Sequence, residues 1–251
     1  MRRLRNILLS IVLVIVVAIA AFALWAHHAM GPQPTAYAAA RADNSVVIAD
    51  RGDFITIRPS SSQSTIGLLF YPGLRVAPEA YVAKLAAIAA AANIQIVIGR
   101  PVLNIAAFSV NQADSMRNAL PGVTHWYVGG HSLGGAMACL YASKHASRLE
   151  GVVLLGTYCG SDISKTQLRV LDVTGENDGV IPTAKIIDHE GEMPKGTTIT
   201  RIPGMNHGQM GNYREQSGDH AASISDDDAK HMLVGAVKKF FESLQPVKVT
   251  A

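Results

Sequence analysis

Clustered positive charge is missing from this sequence once its first five residues are set aside. Of 22 Lys and Arg, three are Arg2, Arg3 and Arg5, and the remaining 19 balance the 19 Asp and Glu. A formally neutral body without a basic run argues against a nucleic-acid partner, which would need lysines and arginines gathered on one face. Charged residues of both signs make up only 16% of the chain. No internal repeat appears, and the only biased stretch is an alanine-rich helix. The 251 residues read as one domain of ordinary size with an appendage, large enough to bury a substantial core. Cysteine is scarce, with Cys139 and Cys159 the whole complement. An exported chain can carry a disulfide. These two, however, fall well inside a helix and just past the following strand, so the expectation is two unpaired buried thiols.

The appendage is the first 26 residues. Arg2, Arg3 and Arg5 precede a run from Ile7 to Ala26 that holds no charge and one polar side chain, Ser10. About 20 apolar residues span a bilayer, and a basic flank predicts a cytoplasmic N-terminus. The run is longer than the apolar part of a signal peptide, which favours an uncleaved anchor. Ala36-Tyr37-Ala38 would nevertheless pass as a cleavage site, which would make the protein secreted. In both cases residues 43–251 lie outside the cytoplasm. Between them, residues 27–42, with Gly31-Pro32 and Pro34 among alanines, read as a linker.

From Asp43 onward, short apolar runs alternate with turn residues. Ser45–Ala49 and Phe54–Arg58 flank Asp50-Arg51-Gly52-Asp53 as an antiparallel hairpin would. Buried strands are predicted at Thr65–Tyr71, Ile94–Ile98, Gly151–Leu155, Leu168–Thr174 and Thr197–Ile202. Helices are predicted at Pro78–Ala92, Ala113–Leu120 and Ser132–His145. Ser225 caps a last helix whose first turn holds Asp226, Asp227 and Asp228, read as dipole complements and not as a metal site. The pattern predicts an α/β fold with a mostly parallel sheet between helices.

One stretch organises this series. His125 to Val128 reads as a strand cut off by Gly129-Gly130, and Ala136 to Ala142 reads as a helix. Gly130-His131-Ser132-Leu133-Gly134 fits G-x-S-x-G at the turn between them. Small residues on both sides of the serine allow a strained turn that lifts its hydroxyl clear of the sheet. The Leu133 N–H then faces the same point from the positive end of a helix.

In a parallel sheet, function gathers where strands end. After Thr65–Tyr71 comes Pro72-Gly73-Leu74-Arg75, whose Gly73 and Leu74 N–H groups are candidates to complete an oxyanion site with Leu133. Asp178 lies on the loop after Leu168–Thr174. His207 follows Thr197–Ile202, with His220 as the alternative base. His131, Tyr158 and Arg75 are candidates to line the substrate cleft. Asp172 is the odd residue, a carboxylate inside an apolar strand, where an unpaired charge would be costly. Gln209–Asp219 reads as a packed surface loop beside the base.

The order Ser132, Asp178, His207 resembles the nucleophile, acid and base order of the α/β-hydrolase superfamily. Tyr71-Pro72-Gly73, Gly130 to Met137 and Gly204-Met205-Asn206-His207 are most similar to a compact bacterial branch related to the dienelactone hydrolases. Those enzymes carry cysteine where this chain has Ser132, a departure that puts dienelactone as substrate in doubt. The resemblance implies an eight-stranded sheet, and no large cap is evident between Gly156 and Leu168. It also implies an enzyme: a serine hydrolase acting on small-molecule esters with no metal or organic cofactor. An acyltransferase or peptidase with the same triad, or a catalytically silent binding module, are the alternatives. No protein partner is inferable.

Overall fold

The protein is described here by a computed structural model covering residues 2–61, 63–213 and 216–243. It begins with α1 (Arg2–His27), which is long and apolar enough to cross a membrane, its most apolar 18-residue window having a mean hydropathy of 3.3. A second helix, α2 (Pro34–Ala42), follows. The main body comprises β1 (Val46–Asp50), β2 (Phe54–Pro59), β3 (Ile66–Tyr71), α3 (Val82–Ala92), β4 (Gln95–Gly99), α4 (Gln112–Arg117), β5 (His125–His131) and α5 (Leu133–His145). It continues through β6 (Gly151–Leu155), β7 (Arg169–Gly175), α6 (Thr183–Asp188), β8 (Thr198–Ile202) and α7 (Asp226–Glu242).

The eight strands form one sheet in the order β1-β2-β4-β3-β5-β6-β7-β8. The opening hairpin is antiparallel, β2 joins β4 antiparallel, and every later pairing is parallel. Two apolar layers cover its faces. One gathers Val82, Leu85 and Ile88 of α3 with Leu233, Val237 and Phe241 of α7. The other gathers Met116 of α4 with Ala138, Cys139 and Ala142 of α5. The central strands are buried along almost their whole length. This burial explains why they read as continuous apolar runs. At the start of α7, the Ser225 hydroxyl accepts from the Asp228 N–H at 3.1 Å, the expected cap.

Two features differ from expectation. Residues 34–42 of the presumed linker are helical and pack on α3, because Pro34 opens a helix whose small side chains let Ala40 bury. Cys139 and Cys159 are paired in a disulfide, with Cα atoms 5.6 Å apart. The chain after β6 turns back across α5, and Thr157 fills the space left by the missing side chain of Gly135, one helical turn before Cys139. Two positions that looked separate are thereby brought within bridging range.

Asp172 lies on β7, an inner strand next to the edge strand β8, flanked by Leu154 and Ile199. It shares its face with Val170, and neither carboxylate oxygen meets a partner among the described residues. Burial, with Glu190 adding repulsion, raises its pKa to about 7 against a smaller opposing pull from Arg201. Below about pH 7 Asp172 therefore sits in the core as the neutral acid.

Two predictions follow from the core. Unfolded in denaturant without reductant, the protein should expose no thiol to a thiol reagent. Replacing both cysteines with alanine should cost about 3 kcal/mol in urea unfolding. Asp172 keeps its proton to about pH 7 in the folded state, whereas the unfolded chain releases it near pH ~4, so stability falls as pH rises through that window. The fall amounts to at most about 4 kcal/mol, and Asp172→Asn should remove it. An unchanged pH slope in the variant would mean the acid is already ionised at pH 5.

Candidate active site

At the centre of the sheet, β5 ends in His131 and α5 begins at Leu133, leaving Ser132 alone in the turn with φ 53° and ψ −127°. This left-handed conformation is rarely adopted by a residue with a side chain, and it is maintained only by its surroundings. The Ser132 N–H donates to the Leu155 carbonyl at 3.0 Å, tying the turn to β6. A side chain at Gly134 would overlap the carbonyls of Tyr71 and Pro72, and one at Gly130 would overlap Gly134. The glycines thus let the first turn of α5 rest directly on the end of β3. Ser132 itself is half-buried.

The acid and base arrive on two neighbouring loops. Asp178, just past β7, accepts from the Val180 and Ile181 N–H groups at 2.9 and 2.7 Å with one oxygen. Its other oxygen lies 2.7 Å from His207 Nδ1, and both side chains are fully buried. His207 Nε2 has no partner among the described residues. With the ring fixed through Nδ1, the second nitrogen is free to take up a proton. Gly156, which follows β6 beside the pair, is required there by its φ of +54°, since a Cβ would make only ordinary 3.4 Å contacts with Asp178 and His207.

Ser132, Asp178 and His207 therefore converge on one end of the sheet. The ring of His131, next to the serine, lies 4.4 Å from that of His207. His220 is exposed, and its carbonyl accepts from Asn206.

The remaining candidates divide. The Leu133 N–H belongs to the open first turn of α5, where intrahelical partners are lacking. Leu74 N–H meets no acceptor among the described residues. Gly73 does not stay available: its N–H donates to the Tyr81 hydroxyl at 2.9 Å, so this donor points inward. His131 is wholly buried, with Nδ1 2.9 Å from the same hydroxyl, and supports the site from beneath instead of lining it. Burial, reinforced by His207 and Lys84, holds its pKa well below the usual histidine value, so it is neutral. Arg75 turns away from the serine: its guanidinium lies 4.3 Å over the Trp25 ring and donates to the His28 carbonyl at 2.6 Å. Tyr158 is half-buried and stacked on His189 at 4.2 Å. Residues 156–168 contain neither helix nor strand, so no cap covers the serine from this side.

Two residues that sequence reasoning passed over hold the base loop. The Asp219 carboxylate accepts from the N–H groups of His207 (3.2 Å), Gly208 (2.9 Å) and Gly179 (3.0 Å), joining the base loop to the acid loop. Lys84, buried in α3, donates to the Gln209 carbonyl, and burial lowers its pKa to about 8. An acid within the glycine-containing loop after His207 was the only available hint of the first. A lysine in an alanine-rich helix gave no signal of the second.

A parallel sheet with a strand–serine–helix turn and a buried acid–histidine pair at its carboxyl ends defines the α/β-hydrolase class. A model of the α/β hydrolase family matches residues 67–231, about two thirds of the chain, and the protein belongs to that family. Comparison with curated proteins by sequence found no match. Among solved structures, Est1E from Butyrivibrio proteoclasticus is similar at 14% identity and TM-score 0.56, covering 80% of this chain and 98% of its own. XC6422 from Xanthomonas campestris, described as a serine hydrolase without lid, matches at 14% identity and TM-score 0.56, over 82% and 97%. Dienelactone hydrolase from Anabaena variabilis matches at 14% identity and TM-score 0.55, over 79% and 96%. At such identities these likenesses speak for the fold.

The bracing of the base loop is directly measurable. Asp219→Ala should speed hydrogen exchange at the His207, Gly208 and Gly179 amides by about tenfold or more, the loss of one charge-assisted bond. Asp219→Asn, which keeps an acceptor oxygen, should retain part of the protection.

Proposed function

We propose that this protein is a membrane-anchored serine hydrolase with its catalytic domain outside the cytoplasm. It acts as a carboxylesterase on small or medium acyl esters through an acyl-enzyme on Ser132. The observation that carries the reading is the buried Asp178–His207 pair at 2.7 Å, set beside a serine kept at φ 53°. A serine hydroxyl is a poor nucleophile until a base removes its proton. In the proposed cycle His207 Nε2 takes that proton as Oγ attacks the ester carbonyl. Asp178 stabilises the imidazolium that forms and fixes the tautomer that precedes it.

The negative charge that develops on the carbonyl oxygen is assigned to the N–H groups of Leu133 and Leu74, with the α5 dipole adding to the first. Collapse of the tetrahedral species expels the alcohol, which leaves with the proton from His207. Water then attacks the acyl-serine, giving its proton to His207, and the carboxylic acid departs as Ser132 is restored. Every step uses groups of this chain, substrate and water.

Retention of the anchor is supported by the setting of Ala36-Tyr37-Ala38. A peptidase needs an extended substrate, and these residues lie within α2, packed on α3. Trp25 near the outer end of α1 and the three arginines at its start suit a span with a cytoplasmic N-terminus.

Labelling of the detergent-solubilised protein with a fluorophosphonate probe is the direct test. The parent should label and Ser132→Ala should not. Asp178→Asn should fold but lose on the order of 10⁴ in kcat towards a p-nitrophenyl ester, because the histidine then rests in the wrong tautomer. A folded parent that resists the probe would remove the hydrolase reading and leave a silent binding module in its place.

A further inference from the structure

The outer end of α1 is built into the rim of the active site. Ala26 is completely buried, and its carbonyl accepts from the Asn104 side-chain amide at 3.3 Å. Trp25 carries the Arg75 guanidinium on its face. One turn earlier, the Phe22 ring meets Phe108 edge-on, with centroids 6.5 Å apart. Arg75 adjoins Leu74, the proposed oxyanion donor, and its own N–H donates to the Asn104 carbonyl at 2.9 Å. The loop after β3 and the segment between β4 and α4 are thus joined to each other and to α1. The residues with side chains that hold this junction, Arg75, Leu103 and Asn104, all have left-handed φ angles of 54–56°.

The same rim is apolar and uncovered. Leu74 is 41% exposed, Val102 60% and Phe108 57%, beside Phe22 at 43% and Trp25 at 45%. In a helix that rises about 1.5 Å per residue, Phe22 lies roughly 8 Å below His27, and a tryptophan near a span's end sits at the level of the headgroups. A Phe108 in contact with Phe22 then reaches the boundary between headgroups and acyl chains.

Nor can the body swing away from this position. Met30 donates to the Arg75 carbonyl at 2.6 Å and accepts from the Ala77 N–H at 2.9 Å. Gln33 donates to the Asn212 carbonyl at 2.8 Å, and Pro32 bridges to Tyr213. The strap from Ala29 to Gln33 therefore fastens the oxyanion loop on one side and the base loop on the other.

We infer that the mouth beside Ser132 rests on the outer surface of the bilayer through Leu74, Val102 and Phe108, and that its substrates are acyl esters carried on membrane-resident amphiphiles. The inference rests on the anchored serine-hydrolase reading above. An ester dissolved in the leaflet reaches the serine by lateral diffusion, and its acyl chain passes from lipid to the cleft without crossing water. Exposed apolar side chains at the rim of an uncapped site, which would be a liability in water, are matched to that surface.

The test uses the full-length protein in phosphatidylcholine nanodiscs. With Trp25→Phe and Phe108→Trp combined, and Trp25→Phe alone as the baseline for the remaining Trp126, lipids brominated high in the acyl chains should quench the emission added at position 108 by about half or more, as for a side chain at the interface. Unquenched emission would overturn the proposal. In a second measurement, Val102→Ser with Phe108→Ser is compared with the parent on p-nitrophenyl butyrate in water and on a medium-chain diacylglycerol in the disc. Both positions are exposed, so the soluble ester should be cleaved at the parental rate. The rate on the bilayer ester should fall by about tenfold, following the lost apolar contact with lipid. Equal effects on the two substrates, or none on either, would also overturn it. Failure of the parent to cleave any ester would defeat the serine-hydrolase reading, and the quenching would still decide where the mouth lies.

Discussion

Everything at the candidate active site depends on how closely the first turn of α5 approaches the end of β3. Only glycine at 134 permits this contact, because any side chain would overlap the Tyr71 and Pro72 carbonyls. The approach forces Ser132 into a left-handed turn and leaves the N–H groups of the first helical turn open beside the loop that carries Leu74. One steric condition thus sets the nucleophile's direction and the position of its proposed oxyanion donors together. The strain is balanced by the bond from Ser132 N–H to β6 and by a core that buries β5 along almost its whole length.

The base is held by different means. Its loop buries Met205 and Met210 in the core without belonging to the sheet, so backbone groups there need other polar partners. Asp219 gathers three of its neighbourhood's N–H groups, Lys84 reaches a carbonyl from within α3, and the strap before α2 closes the far side. The Asp219 and Lys84 contacts are charge-assisted, stronger than neutral ones and more directional. They leave the His207 ring one defined orientation, with Nδ1 on Asp178 and Nε2 unengaged.

The strands were legible because a sheet buried on both faces demands unbroken apolar runs, and the opening hairpin because its alternation is interrupted by Asp50-Arg51-Gly52-Asp53. Ser132, Asp178 and His207 were legible because each follows a strand directly. What escaped detection depends on contacts between distant segments. Gly73 was a reasonable donor until Tyr81, eight residues on, proved to accept its N–H. The disulfide required knowing that the chain recrosses α5 after β6. Arg75 had to be seen against Trp25 before its turn away from the cleft was apparent. Asp172 was recognisable as anomalous, but its missing partners could be counted only in the folded core.

By itself, then, the sequence determined the layer architecture, the apolar first helix and the chain order of the three residues at the site. Each of these is written in local periodicity or in residues adjacent to a strand end. The tertiary structure alone decided which donors remain free, what braces the base loop, and that α1 docks at the rim. Those outcomes depend on side chains far apart in the chain competing for the same backbone groups and the same space, and spacing along a sequence carries no record of that competition.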